Sequence, residues 1–295
     1  CGHDIHGAML LTAAKMLKEN EAALDGMVKL MFQPGEEPLT GARSMIADGL
    51  LQDPRPDVAL GYHVVAGSMP MGLFVYNREG TLMNSSDNFI IDIQGKGGHG
   101  AYPDACIDPI NIAAHMILAL ESVVAREIKS TQASVLTIGK VTAGDAPNII
   151  PDQAQLQGTL RCDSEKEREF ILQRLSEVVD AVAKMYRGSA TITMLAGTPP
   201  LICDPQSVDD FVGYMRELDV PGQCEHVGMH AASSEDFSAV LSEIPGAYMF
   251  LSAGFTDGRE TYNQHHPKVE FNEEVMKSGA AYLAHCATRW LEEHK

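Results

Sequence analysis

The feature that most constrains this chain is a change of hydrophobic rhythm in its middle, where strand and helix periods succeed one another as β-α-β-β-α-β. Phe89, Ile91 and Ile93 alternate with polar neighbours, as the buried face of a strand does. Residues 108–127 shift to helical spacing, with Ile112, His115, Met116, Ala119 and Val123 expected on one side. Strands are expected at 133–141 and 153–161; in the second, Ala154, Leu156, Gly158 and Leu160 alternate with Gln155, Gln157 and Thr159. Ser164 is expected to cap a helix running to Arg187, with Phe170, Leu175, Val178, Val179 and Val182 as its buried stripe. A last strand at 190–195 completes the order of the ferredoxin-like unit.

Mixed α/β patterning lies on both sides of that unit. Ahead of it come a helix at 5–18, a strand in which Val28, Leu30 and Phe32 alternate with Lys29 and Met31, a Pro/Gly loop at 33–38, a helix at 40–51 and an apolar strand at 58–65. After it come helices at 206–218 and 272–292 around a strand at 247–251, with another helix starting near 233–237. Strands alternating with helices imply a largely parallel sheet flanked by helices. The fold class expected is therefore α/β, with the ferredoxin-like unit inserted as a lid or dimerisation domain. The expected divisions are 1–83, 84–196 and 197–295, the outer two forming one metal-binding domain. Ligands of such sheets gather at the carboxyl ends of strands, where Glu36, Glu37 and His63 are expected.

Charge narrows the partners. The chain has 22 Lys+Arg against 40 Asp+Glu, a net charge of −18. Binding phosphate needs clustered cations, so nucleic acid and anionic membranes are excluded as expected partners. No apolar run approaches the ~20 residues that span a bilayer. Six cysteines, at 1, 106, 162, 203, 224 and 286, form no CxxC and no regular spacing. They read as free thiols or a ligand, and a cytoplasmic location is expected. The chain opens on Cys1-Gly2-His3-Asp4 without an initiator Met.

Several residues suit metal chemistry. Cys1 and His3, two apart ahead of a helix, can reach one ion, although a capping turn or an N-terminal nucleophile would use the same residues. Glu36 and Glu37 are adjacent in a tight loop, so one can bind metal while the other removes a proton from water. A solvated acidic loop is the plain alternative. His63 also reads as a core histidine, His265-His266 as a surface pair and His99 as a turn residue. Taken together, Cys, His, Glu and two further His give five donors, enough for two metals sharing one ligand. Gly95-Lys96-Gly97-Gly98-His99-Gly100 fits a loose GxGxxG, but no ribose-binding acid follows and nucleotide binding is not expected.

Cys1-Gly2-His3-Asp4-Ile5-His6, Phe32-Gln33-Pro34-Gly35-Glu36-Glu37, Gly61-Tyr62-His63-Val64 and Gly95 to Gly100 resemble the motif series of the metallopeptidase-like amidohydrolases. Ala146 to Asp152, Ser234-Glu235-Asp236-Phe237 and His265-His266-Pro267 continue it in the same order. That family includes hippurate, N-acyl-amino-acid and indole-acetyl-amino-acid hydrolases. The resemblance implies two divalent ions (Zn, Mn, Co or Ni) bridged by Cys1, with His3, Glu37, His63 and His265 as terminal ligands. It implies Glu36 as general base and proton donor to the leaving amine. His99 would reach the partner subunit's site in a homodimer and stabilise the oxyanion. Asn148 and Arg161 would bind substrate, and Asp4 and Glu235 would orient ligands.

The implied activity is hydrolysis of N-acyl amino acids by a metal-activated water. A di- or aminopeptidase and a non-catalytic binding module are the alternatives. Two departures from the family pattern stand out. Members carry further strands and helices ahead of the Cys-Gly-His-Asp motif, so the chain is expected to be part of a longer protein with apolar surface left uncovered. Pro38-Leu39-Thr40 replaces the family's glycine-rich run and is expected to reshape one side of the cleft.

Overall fold

Two four-stranded sheets organise the chain, and their sequences differ as their surroundings do. The computed structural model describes residues 1–220 and 222–295. In chain order the elements are α1 (His3–Glu19), α2 (Gly41–Ala47), β1 (Ala59–Val65), β2 (Leu73–Tyr76), β3 (Thr81–Met83), β4 (Ser86–Gln94), β5 (Gly98–His99), α3 (Pro109–Glu127), β6 (Ser134–Ala143), β7 (Ile149–Ile150) and β8 (Gln153–Cys162). There follow α4 (Glu165–Met185), β9 (Ser189–Thr198), β10 (Leu201–Ile202), α5 (Pro205–Arg216), β11 (Cys224–Val227), α6 (Ser238–Leu241), β12 (Gly246–Ser252) and α7 (Val275–Glu293).

The first sheet runs β1-β12-β2-β11. β1 pairs with β12 in parallel and β2 with β11 in parallel, while β12 and β2 run antiparallel. β12 is buried along its whole length, which its near-continuous apolar run dictates for a strand covered on both faces. α1 contributes Ile5 and Met9 to the same core, and α7 contributes Val275, Ala280, Tyr282 and Cys286. Each large apolar side chain so buried stabilises the fold by about 1.5–3 kcal/mol.

The second sheet is antiparallel, in the order β6-β8-β4-β9. Its elements follow β4-α3-β6-β8-α4-β9, the ferredoxin-like order. Phe89, Ile91, Ile93, Leu156 and Leu160 on the strands meet Ile112, Met116 and Leu120 of α3 and Ile171, Leu175 and Val179 of α4. Asp108 starts α3 by accepting the Ile110 and Asn111 amides. Near the start of β4, buried Asp87 forms a bidentate pair with Arg168 of α4 at 2.7 and 2.8 Å.

Several details differ from expectation. Residues 28–32 form no strand: β1 is an edge strand that pairs with β12 alone among the described residues. Alternation without a ladder partner leaves the backbone without cross-strand hydrogen bonds. Lys29 Nζ instead donates to the carbonyls of Leu50, Gln52 and Pro54, and Met27, Leu30 and Phe32 stay exposed. The helix expected at 40–51 stops at Ala47, because Gly49 takes φ +96° and the Leu50 amide turns back to Met45 O. On α4 the buried row is Ile171, Leu175, Val179 and Ala183, a strict i+4 series, so Phe170 is exposed. Ser164 makes no capping hydrogen bond, and on α3 His115 is exposed against Tyr186.

All six cysteines are free, and among the described residues no helix is long and apolar enough to cross a membrane.

Candidate metal centre

Segments from both ends of the chain converge beside β1. Cys1 precedes α1 and His3 opens it; Glu36 and Glu37 lie in the loop leading to α2; His63 sits near the end of β1; His265 lies in the loop before α7. Glu36 and Glu37 thus follow an irregular segment rather than a strand, yet they reach the same place. Cys1 Sγ lies 3.4 Å from His63 Nε2 and 3.2 Å from His265 Nε2. His265 Nε2 is 3.3 Å from Glu37 Oε1, and His3 Nε2 is 3.6 Å from Glu36 Oε2.

The donor atoms of Cys1, His3 and His63 all lie within 4.8 Å of one another, and so do those of Cys1, Glu37 and His265. Cys1 belongs to both groups. His3, Glu36 and Glu37 form a third, and Glu36, Glu235 and Asp236 a fourth. The five residues expected as ligands are therefore neighbours in space.

Local structure aims each ring. His63 Nδ1 is 2.6 Å from Val64 O, so a proton on Nδ1 donates there and leaves Nε2 free to face Cys1. His265 takes φ +67°, an uncommon conformation for a residue with a Cβ, which accompanies its turn toward Cys1 while His266 stacks on Tyr262 at 4.2 Å. Burial holds the pKa of His63 down to about 4 and lowers that of His3, so both imidazoles are neutral and able to ligate at pH 7.

The carboxyl groups show the opposite shift. Burial, with Glu235, Asp236 and Glu37 nearby, pushes Glu36 up to about 8. Burial raises Glu235 to about 7, against hydrogen bonds from the Tyr248 hydroxyl at 2.7 Å and the Phe237 amide at 3.1 Å. A buried carboxyl poised near neutrality is the property a general base needs.

The remaining expected residues lie elsewhere. His99 is exposed on β5, which pairs with β7, and the Gly100 amide donates to Asn148 O at 2.9 Å. Arg161 is partly buried on β8, donating to the Ser86 hydroxyl and to Leu160 O, and burial lowers its pKa. Asp4 is exposed in the first turn of α1. None of these joins the donor cluster.

Two residues of the quoted motifs, to which the sequence assigned no role, also take part. His6 accepts the Val64 amide at 2.9 Å, and its ring stands 4.6 Å from that of His63. The i,i+3 spacing of His3 and His6 was the available signal. Asp236 lies beside Glu36, a relation that spans 200 residues of chain and has no local signature.

The donor set fits divalent metal. Among the described residues His3 Nε2 is buried without a hydrogen-bond partner, and a thiol, neutral imidazoles and carboxylates within bridging distance are the ligands zinc-like ions take.

The sequence pattern of peptidase family M20/M25/M40 matches residues 1–289. The N-acetyl-L-cysteine deacetylase of Bacillus subtilis is 33% identical over 300 residues, covering 100% of this chain and 68% of that protein. The IAA-amino acid hydrolase ILR1-like 5 of Arabidopsis thaliana is 37% identical over 298 residues, covering 99% and 67%. The crystal structure of the Bacillus subtilis YXEP protein, a dinuclear metal-binding peptidase of the M20 family, superposes with a TM-score of 0.77 at 29% identity over 99% of this chain and 73% of that one.

Proposed function

The chain belongs to peptidase family M20/M25/M40, and from that premise we propose that it hydrolyses the amide bond of N-acyl amino acids. Cys1, His3, Glu37, His63 and His265 would hold two divalent ions, with Cys1 shared. The observation that carries this reading is the membership of Cys1 in two three-residue donor groups at once. Bound ions would supply Lewis acidity, lowering the pKa of water, polarising the amide carbonyl and drawing the Glu36 carboxyl back toward ionisation.

Glu36 takes the proton of the attacking water as the oxygen–carbon bond forms. It returns that proton to the amide nitrogen as the carbon–nitrogen bond breaks, giving a carboxylic acid and a free amino acid. Residues 84–196 act as a lid and dimerisation domain between the host segments 1–83 and 197–295. Support comes from the exposed apolar residues Leu118, Val135, Val141 and Ile149 and from the free edge of β6. In the homodimer, exposed His99 serves the partner's site as an oxyanion donor, with Asn148 and Arg161 toward the substrate.

The test is a panel of N-acetyl amino acids and dipeptides offered to the chain loaded in turn with Zn, Mn, Co and Ni. Release of free amino acid from the N-acyl compounds is expected. Cleavage of dipeptides alone would redirect the reading to a dipeptidase, and two bound metals with no cleavage of either class would overturn it.

A further inference from the structure

The loop that carries Glu36 and Glu37 is pinned from outside by one buried carboxylate. Asp236 is 1% exposed. Its Oδ1 accepts the Gln33 side-chain amide, and its Oδ2 accepts the Ala42 backbone amide at 3.0 Å. Gln33 opens the loop and Ala42 closes it, so a single side chain holds both ends.

Within the loop the hydrogen bonds run inward. Gly35 O accepts the amides of Thr40 and Gly41 at 3.3 and 3.1 Å, and Glu36 O accepts that of Leu39 at 2.7 Å. The two ends are in close approach, for a Cβ on Gly41 would lie 1.8 Å from Pro34 O. These contacts give the loop its shape but do not place it relative to the first sheet. Asp236 does, because it lies between Glu235, held by the Tyr248 hydroxyl of β12, and α6, whose Ala239 amide returns to Asp236 O at 2.9 Å.

We propose that Asp236 is a positioning residue for the hydrolytic reaction: it clamps Gln33 and Ala42 together and thereby sets where Glu36 and Glu37 stand against the rest of the donor set. The inference rests on the assignment of Glu36 as base and Glu37 as ligand, but the clamp itself is measurable without substrate or metal. The carboxylate accepts from both donors, and a side chain without an acceptor loses both bonds; an asparagine keeps both, because the Gln33 amide can turn its oxygen toward the asparagine NH2.

The donor–acceptor sense offers a reversal. Gln33→Glu alone sets two carboxylates against each other. Adding Asp236→Asn turns that clash into an amide-to-carboxylate hydrogen bond, while the Asn oxygen still accepts the Ala42 amide. Asp236→Asn alone keeps both bonds through the turned Gln33 amide. Gln33→Glu, and Asp236→Leu, which offers no acceptor, should therefore fail, and the pair Gln33→Glu with Asp236→Asn should recover.

The experiment has two readouts. In the metal-free protein, hydrogen exchange at the Gly41 and Ala42 amides should speed by at least ~10-fold in Asp236→Leu and in Gln33→Glu, and return to within ~3-fold of wild type in the double variant. In the metal-saturated enzyme, kcat should fall ~100-fold in Asp236→Leu and in Gln33→Glu with KM nearly unchanged, because displacement of a catalytic group by about 1 Å has that effect, and the double variant should regain most of what Gln33→Glu loses. Should Asp236→Leu not fold, Gln33→Ala removes one of the two bonds and must speed the same exchange. Unchanged exchange in Asp236→Leu or in Gln33→Ala, or a double variant no better than Gln33→Glu alone, overturns the clamp. Normal exchange reversal with no hydrolysis by the wild type would instead count against the proposed function alone.

Discussion

His3 Nε2 stands 3.6 Å from Glu36 Oε2, and neither group carries charge at neutral pH in the metal-free chain. Burial lowers the imidazole and raises the carboxyl. The two face one another as unionised neighbours rather than as an ion pair, and among the described residues His3 Nε2 has no hydrogen-bond partner. Such a site favours an incoming cation, which the imidazole can ligate and the carboxyl can balance by ionising.

Glu36 makes the stability of the metal-free chain depend on pH. A carboxyl whose folded pKa is about 8 instead of 4.5 holds its proton more tightly when folded. Its contribution is intact below pH 4.5, where both states are protonated, and is lost progressively as pH rises toward 8. The metal-free Glu36→Gln variant should match wild type near pH 4 and be more stable near pH 8, as read by urea unfolding. Parallel stability curves for the two proteins would show that Glu36 is not raised.

Removing the shared donor should affect both ions. Cys1→Ala is expected to weaken metal binding by at least ~100-fold, beyond what loss of an orienting partner alone costs, and to lower the bound stoichiometry for both ions. His265→Ala should release one ion and retain the other. Metal analysis after gel filtration, with calorimetric titration, distinguishes these outcomes; equal losses in the two variants would contradict a shared Cys1.

The Asp87–Arg168 pair lies outside the donor set and bears on the stability of the fold. Both side chains are largely buried, at 4% and 13% exposure. Arg168→Met leaves the Asp87 carboxylate buried without its partner and should destabilise the fold by about 3–5 kcal/mol. Replacing both, with Asp87→Asn added, should recover part of that loss in chemical denaturation. No difference between single and double variants would mean that the pair is solvated.

Gly41→Ala tests the close approach of the loop ends. The added methyl would meet Pro34 O, a backbone atom with nowhere to rotate. A loss of about 1–3 kcal/mol is expected from overpacking, together with weaker metal binding as Glu37 is displaced. A variant with wild-type stability and affinity would show that the loop relaxes freely.

Much of this architecture can be read from the sequence where neighbours in space are also regular in sequence. The alternation through Ala154, Leu156 and Leu160 fixes which face of β8 is buried, and the apolar run at Ala247–Leu251 marks a strand covered on both sides. Reading fails where the deciding partner is distant. Val28, Leu30 and Phe32 alternate as a strand does, but among the described residues no strand pairs with them. On α4, Phe170 and Ile171 both fit a helical stripe, and only packing against the sheet selects Ile171. In the centre, the motifs marked Cys1, His3, Glu36, Glu37, His63 and His265 without their distances. His6 and Asp236 lie within those motifs but gained no role there, because their partners, Val64 and the ends of the Gln33–Ala42 loop, are brought to them by the fold.

The spread of the donors along the chain has a further consequence. Cys1 and His265 lie 264 residues apart and meet at 3.2 Å, with Glu37 and His63 from separate segments between them. Cys1, His3 and His63 all lie within the first 63 residues, but the group of Cys1, Glu37 and His265 is complete only when both ends of the chain have come together. Tight binding of two ions would therefore certify that the whole chain had reached its native arrangement, and metal affinity would serve as an assay of folding completeness.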